Sequence, residues 1–244
     1  MQMLKKIGIG LLGLGTVGTG VAKILQSPEG RNPLISAIEL KKVAVKDVNR
    51  SRGIDIPRDL LTDDPYVVVE DPNIEVVVEV IGGIEPAREL IMRAIAAGKS
   101  IVTANKAVIA RHGQEIALAA KNNGVYVLIE AAVGGGIPII EPLKQSLGSN
   151  KIQKVTGIIN GTTNYILTRM CKEGANYKEI IKDAQRLGYA EADPAADVEG
   201  FDAADKIAIL SGLAFGGAIE RDKIQTKGID TLELCDIDYA SDLG

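Results

Sequence analysis

The sequence predicts an α/β protein: a Rossmann-type, doubly wound parallel sheet over residues 1–130, then a smaller α+β domain for substrate binding and dimerisation over 131–244. Three observations carry this. A glycine-rich turn separates an apolar run from an amphipathic segment near the start of the chain. Apolar runs then alternate with helical patterns to about residue 130, after which a glycine- and proline-rich link, AAVGGGIPII, breaks the rhythm.

Residues 6–12 (KIGIGLL) form the first strand. Two frames of G-x-G-x-x-G overlap there: Gly8, Gly10 and Gly13, or Gly13, Gly15 and Gly18. The first would place Gly13, Gly15, Gly18 and Gly20 in the following helix, each costing about 1 kcal/mol relative to alanine. The second leaves the strand whole and lets residues 17–26 (VGTGVAKILQ) run as a helix. In that frame Gly13 makes the tight turn, Gly15 lets the backbone approach a pyrophosphate, and Gly18 lets helix and strand pack closely. Leu14, Thr16 and Val17 complete the loop, and the helix N-terminus would receive the phosphates. A turn of this shape that binds nothing is the plain alternative. The start of the chain, MQMLKK before an apolar stretch, imitates a signal peptide, but its glycines make a poor apolar helix.

Residues 39–45 (ELKKVAV) form the second strand. A site for NAD usually ends this strand with an acidic residue that holds the ribose 2′-hydroxyl. Lys46 stands there instead, followed by Asp47, Arg50 and Arg52. Cations suit a 2′-phosphate, so NADP is the expected cofactor, while Asp47 keeps NAD open and a solvated turn is the third reading. Residues 76–81 (VVVEVI) read as a continuous apolar run, a central strand covered on both faces. A helix with Pro86 in its first turn and Gly98 just past its end follows. A strand at 100–103, a helix around 114–122 and a strand at 125–129 close the alternation. Beyond the link the order is helix, strand (154–159), two helices, a polar loop and a further helix. The strand at 154–159 has few partners in its own chain, so a sheet shared across a homodimer is expected.

Composition narrows the chemistry. The 244 residues hold one histidine, His112, two distant cysteines, Cys171 and Cys235, and no tryptophan. That excludes a zinc site of Cys and His clusters and a disulfide framework, and it leaves Lys, Asp, Glu or Tyr for most acid–base work. The net charge of -4 comes without a basic stripe, so no nucleic-acid partner is expected. The uncharged stretch at 207–219 is too short to span a bilayer, so no membrane partner is expected either. The cysteine usage fits a reducing cytoplasm.

The helix over residues 201–215 (FDAADKIAILSGLAF) is the most informative segment. Asp202 and Lys206 project within about 40° of each other and bracket Leu213, with Ile209 beside them. A carboxylate and an ammonium therefore share a face otherwise built for a core, whereas an ordinary surface pair would add only a few tenths of a kcal/mol. The preceding loop, LGYAEADPAADVEG, is either solvated or presents Glu191 to the amino group of a substrate.

Taken together, GLGTVG at 13–18, VTANK at 102–106, EAAVGGGIP at 130–138, GIINGTTNYIL at 157–167, LGYAEADP at 187–194 and GFDAADKIAIL at 200–210 resemble homoserine dehydrogenase. The resemblance runs from residue 7 to about residue 230 and implies reversible, NAD(P)-dependent reduction of L-aspartate 4-semialdehyde to L-homoserine. It implies Lys206 as general acid and base, with Lys106 beside nicotinamide and substrate. Asp202 and Glu191 would hold the amino-acid end of the substrate, and Gly188 would approach the cofactor. It further implies a structural sodium ion on the main-chain oxygens of Glu130, Val133, Gly135 and Ile137. Members of the family usually continue past the Asp238 region, so the chain reads as a short or C-terminally truncated form. Two other readings stay open. One is a different Rossmann oxidoreductase, such as an aspartate semialdehyde dehydrogenase with a nucleophilic cysteine; the other is a non-catalytic dinucleotide-binding module.

Overall fold

In the computed structural model, which describes residues 6–217 and 219–243, six parallel strands make one sheet: β1 (Ile7–Leu12), β2 (Ile38–Ala44), β3 (Leu61–Thr62), β4 (Val76–Glu79), β5 (Ser100–Thr103) and β6 (Val127–Leu128). Their spatial order is β3-β2-β1-β4-β5-β6. The order reverses between β1 and β4, and at such a point a crevice opens beyond the carboxyl ends of the strands. The strands bury aliphatic side chains on both faces, among them Leu11, Val43, Val77 and Ile101, all fully buried.

Helices α1 (Thr16–Gln26), α2 (Tyr66–Glu70), α3 (Ala87–Ala96) and α4 (Lys106–Asn123) join the strands. The glycines of the rejected frame turn out to serve packing. A Cβ on Gly10 would lie 2.4 Å from a methyl of Val68 in α2, and one on Gly8 would lie 1.9 Å from the Asn73 carbonyl oxygen. Helix α4 begins well before the expected residue 114, because the Asn105 side chain caps it by accepting from the Val108 N–H at 3.3 Å. The run expected to be wholly apolar at 76–81 stops as a strand at Glu79, whose carboxylate is fully buried.

The first compact unit ends at Glu141 and the second begins at Pro142, rather than at the 131 that composition marks. Glu130 explains the difference: its carboxylate accepts from the N–H groups of Ile139, Ile140 and Glu141 at 2.7, 3.0 and 2.7 Å, folding the link back on itself. The second unit holds α5 (Gly161–Glu173), α6 (Tyr177–Arg186), α7 (Ala195–Val198), α8 (Phe201–Phe215) and α9 (Leu234–Leu243). Helices α5, α6, α7 and α9 pack around Ile166, Met170, Ile180 and Val198, and α8 lies against α7. The strand expected at 154–159 is not formed. Residues 151–160 carry neither helix nor strand, and no strand of the second unit, among the described residues, stands beside them. Ile158 there is 77% exposed.

Candidate active site

In the first unit, a cleft of about 880 Å³ opens at the switch point of the sheet. Its floor is the loop between β1 and α1. Gly13 has φ +100°, its N–H donates to the Ala44 carbonyl at 2.9 Å, and a Cβ on it would strike the Val80 carbonyl oxygen at 2.8 Å. Gly15 faces open space, whereas a Cβ on Gly18 would lie 2.2 Å from the Gly13 carbonyl oxygen. Gly13, Leu14, Gly15 and Thr16 line the cleft. Gly18 is buried beneath it, and Val17 is 54% exposed outside it. No side chain caps α1 and no acidic residue stands in its first turn, so its N–H groups and positive dipole end face a cleft whose one acidic lining residue is Asp63.

One wall of this cleft is basic: Lys46, Arg50, Arg52 and Lys23 all line it. Lys23, on α1, carries no local signal of its role. Arg52 staples the loop, donating to the Arg50 and Asp47 carbonyls at 2.8 Å each. The Asp47 carboxylate accepts from the Asn49 N–H at 2.8 Å, closing its own turn, and is absent from the cleft lining. Lys106 is the first residue of α4 and is partly buried.

The second unit has its own cleft, of about 600 Å³, at the start of α8. Lys206 and Asp202 both line it. The Lys206 ammonium donates to Asp202 Oδ2 at 2.7 Å and to the Ile159 carbonyl at 2.7 Å. Asp202 is 6% exposed, and its Oδ2 also accepts from the Asn160 amide at 2.9 Å. The same amide donates to Asp197 Oδ1 at 2.7 Å, while Thr162 donates to Asp197 Oδ2 at 2.9 Å. The result is a lysine held by charge and by geometry, with a second carboxylate one amide away. Gly188, with φ +79°, lies in this cleft's lining, as do Tyr165 and Tyr189, whose rings are 4.7 Å apart. Glu191 is exposed and outside the lining; its carbonyl accepts from Gln185 at 3.2 Å. Asn160 and Asp197 escaped the sequence reading. Asn160 stands just ahead of a helix, and such a position signals a cap, but nothing local reports its reach to α7 and α8.

At 130–137 the implied ion ligands are main-chain oxygens. Those of Val133, Gly135 and Ile137 accept no hydrogen bond among the described residues, and Gly134 and Gly136 turn the chain with φ +68° and +79°. Hard oxygen donors left without hydrogen atoms fit an alkali or alkaline-earth cation.

A glycine turn at the switch point of a parallel sheet, followed in the chain by a unit with a lysine–carboxylate cleft, defines a two-unit protein whose first unit is of the Rossmann dinucleotide-binding class. Comparison with known proteins gives the particular family. A profile described as homoserine dehydrogenase, NAD binding domain, matches residues 13–130, and one described as homoserine dehydrogenase matches 138–244. The homoserine dehydrogenase of Synechocystis sp. PCC 6803 is 60% identical over 98% of this chain and 55% of its own length. The crystal structure of one from Thiobacillus denitrificans, 47% identical, superposes with a TM-score of 0.89 over 98% of this chain and 56% of that one. A candidate homoserine dehydrogenase from Archaeoglobus fulgidus, 32% identical with a TM-score of 0.82, is covered over 77% of its length. The chain belongs to the homoserine dehydrogenase family and carries its NAD(P)-binding domain. It spans about half the length of the Synechocystis and Thiobacillus relatives. Among the described residues, no helix is long and apolar enough to cross a membrane.

Proposed function

We propose that the chain interconverts L-homoserine and L-aspartate 4-semialdehyde by hydride transfer, as part of threonine, methionine and isoleucine biosynthesis in the cytoplasm. The observation that carries this is the Lys206 ammonium, fixed between Asp202 and the Ile159 carbonyl at the lining of a polar cleft. The nicotinamide, when bound, accepts or supplies the hydride. Reduction of the aldehyde leaves an alkoxide, and Lys206 hands its proton to that oxygen; in the oxidative direction it takes the proton back. Lys106, at the positive end of α4, supports the same oxygen. Asp202 keeps Lys206 in place and, with Glu191, holds the substrate's amino group; Asp197 adds a further carboxylate to that wall.

NADP is the preferred cofactor in this reading, because Lys46 and Arg50 line the cleft beside the end of β2 while Asp47 is engaged in its own turn. Gly188 is assigned to cofactor binding as well. A sodium ion on the oxygens of Glu130, Val133, Gly135 and Ile137 would brace the link and take no part in proton transfer. Residues 151–160, unpaired in one chain, would pair in a homodimer. Both thiols are exposed and neither lines a cleft, which argues against a cysteine-dependent semialdehyde dehydrogenase.

The test is NADP reduction driven by L-homoserine at alkaline pH, repeated with NAD and with Lys206→Met. The variant should lose about 10²- to 10⁴-fold in kcat, the usual contribution of a positioned acid–base group. Unchanged rates from Lys206→Met would remove the assignment of the proton carrier, and no turnover of homoserine with either cofactor would remove the activity.

A further inference from the structure

Glu79 ends the central strand β4 as a charged residue in an apolar run, and both it and Thr103 are fully buried. Burying a carboxylate without partners is prohibitive, so its hydrogen bonds say what it is for. They come from three places. The Ile81 N–H donates to Oε1 at 2.8 Å, from the loop after β4. The Thr103 hydroxyl donates to Oε2 at 2.6 Å, from the end of β5. The Asn105 amide reaches Oε1 at 3.5 Å and donates to the Gly83 carbonyl at 2.7 Å, from the cap of α4. The Asn105 N–H in turn donates to the Thr103 hydroxyl at 2.9 Å. One carboxylate thus ties the β4–α3 loop, which turns through Gly82 and Gly83 at φ +82° and +74°, to the N-terminus of α4, where Lys106 begins.

These two loops belong to β4–β6. In a sheet of this order each half binds one mononucleotide. The half built on β1–β3 holds the glycine turn and the basic wall, which leaves the nicotinamide half of the cofactor to β4–β6. We infer that Glu79 is a positioning residue: it fixes the loops that hold the nicotinamide half of the dinucleotide and the start of α4 that carries Lys106. This rests on the dinucleotide reading of the cleft. Glu79 touches neither cofactor nor substrate; it works because an acceptor-only side chain can satisfy donors from both loops at once. Glutamine has the same shape but turns one acceptor into a donor. Facing Thr103, its NH₂ would leave the buried hydroxyl hydrogen without an acceptor; facing Ile81, it would oppose another donor.

The experiment compares two probes by fluorescence or calorimetric titration: NADPH, which occupies both halves, and 2′,5′-ADP, which occupies only the first. With Glu79→Gln the dissociation constant for NADPH should rise about tenfold while that for 2′,5′-ADP stays within about twofold. Thr103→Val, which removes the same link from the other side, should give the same selective loss, and the double variant should lose less than the sum of the two. It also keeps the test alive if Glu79→Gln does not fold. In turnover, kcat should fall with little change in KM for homoserine. Equal weakening of both probes would mean that Glu79 only supports the sheet, and unchanged NADPH binding would mean that the loops need no tie; either overturns the inference. Failure of the unmodified chain to bind NADPH or NADH would instead overturn the dinucleotide reading itself.

Discussion

The sharpest test of the cofactor cleft is one methyl group at Gly18. A Cβ there would lie 2.2 Å from the Gly13 carbonyl oxygen, 3.0 Å from its carbon and 3.3 Å from a Val80 methyl, so it is about 1 Å too near for ordinary contact. The obstacle cannot yield, because Gly13 is pinned by its bond to Ala44 and by Val80 on its other side. Helix α1 must therefore lift by about 1 Å in Gly18→Ala. Overpacking of this kind costs about 1–3 kcal/mol, and replacing a helical glycine by alanine returns about 1. The net loss of about 0–2 kcal/mol lowers Tm by no more than roughly 8 °C in a chain of this size. Binding should suffer more. A 1 Å lift breaks about two charge-assisted bonds from the helix N-terminus to the pyrophosphate, about 3 kcal/mol together, or roughly 100-fold in affinity. Gly113→Ala is the control, since its Cβ would meet only Ile109 at 3.5 Å; it should gain up to about 1 kcal/mol and leave binding alone. NADPH titration and thermal melts of both variants decide the matter. Wild-type affinity in Gly18→Ala would refute the view that close packing of α1 on the turn makes the phosphate site.

Two further predictions concern buried charge. Arg221 and Asp205 pair within the second unit, both under 10% exposed, so Arg221→Met should destabilise by about 3–5 kcal/mol and Arg221→Met with Asp205→Leu should recover much of that; equal melting temperatures for the single variant and wild type would contradict it. Lys99 is 4% exposed and donates to the Asp71 and Ile74 carbonyls. Burial holds its ammonium below the usual lysine range, partly opposed by the charge of Asp71. The unfolded chain then binds more protons in the alkaline window, so the contribution of Lys99 to stability rises with pH up to about 10.4 and is lost as pH falls. The stability difference between wild type and Lys99→Met should therefore grow in favour of wild type across that window, and a flat difference in alkaline melts would sink the assignment.

What could be read from the sequence follows from the range of the forces involved. Strand β4 is legible because a strand buried on both faces writes itself as a run of Val, Ile and Leu, and the turn at 13–18 because only glycine accepts φ +100° there, whereas β3, only Leu61–Thr62, is too short to leave such a run. The pair Asp202–Lys206 was legible because residues four apart share a helix face. Its third member, Asn160, stands 42 residues from Asp202, and no periodicity records such a contact. Glu79 is hidden for a similar reason: two of its three donors come from residues 103 and 105 on other elements, so nothing in the run at 76–81 singles it out. Gly8 and Gly10 looked like a second binding motif because the helix and turn that need their lack of a side chain lie some 60 residues away. The strand expected at 154–159 does not form, because a ladder needs a neighbour as well as a suitable sequence.

The segment 151–160 nevertheless bears on the proposed chemistry. Its last two residues serve the lysine site: Ile159 accepts from Lys206, and Asn160 caps α5 through the Thr163 N–H at 2.8 Å while donating to Asp197 and Asp202. Whatever orders residues 151–158 therefore also sets where the Lys206 ammonium rests. Asn160→Ser separates the two duties, since serine is as good a cap as asparagine but too short to reach both carboxylates. The serine variant should melt within a few degrees of wild type. Its kcat should fall about tenfold, because Asp202 loses a donor in a buried place and Lys206 loses the fixed geometry that the amide enforces. Asn160→Ala should lose the same rate and, in addition, about 1 kcal/mol of stability from the missing cap. Wild-type turnover in the serine variant would mean that the ion pair alone holds the lysine, and the unpaired segment would then have no hold on the chemistry.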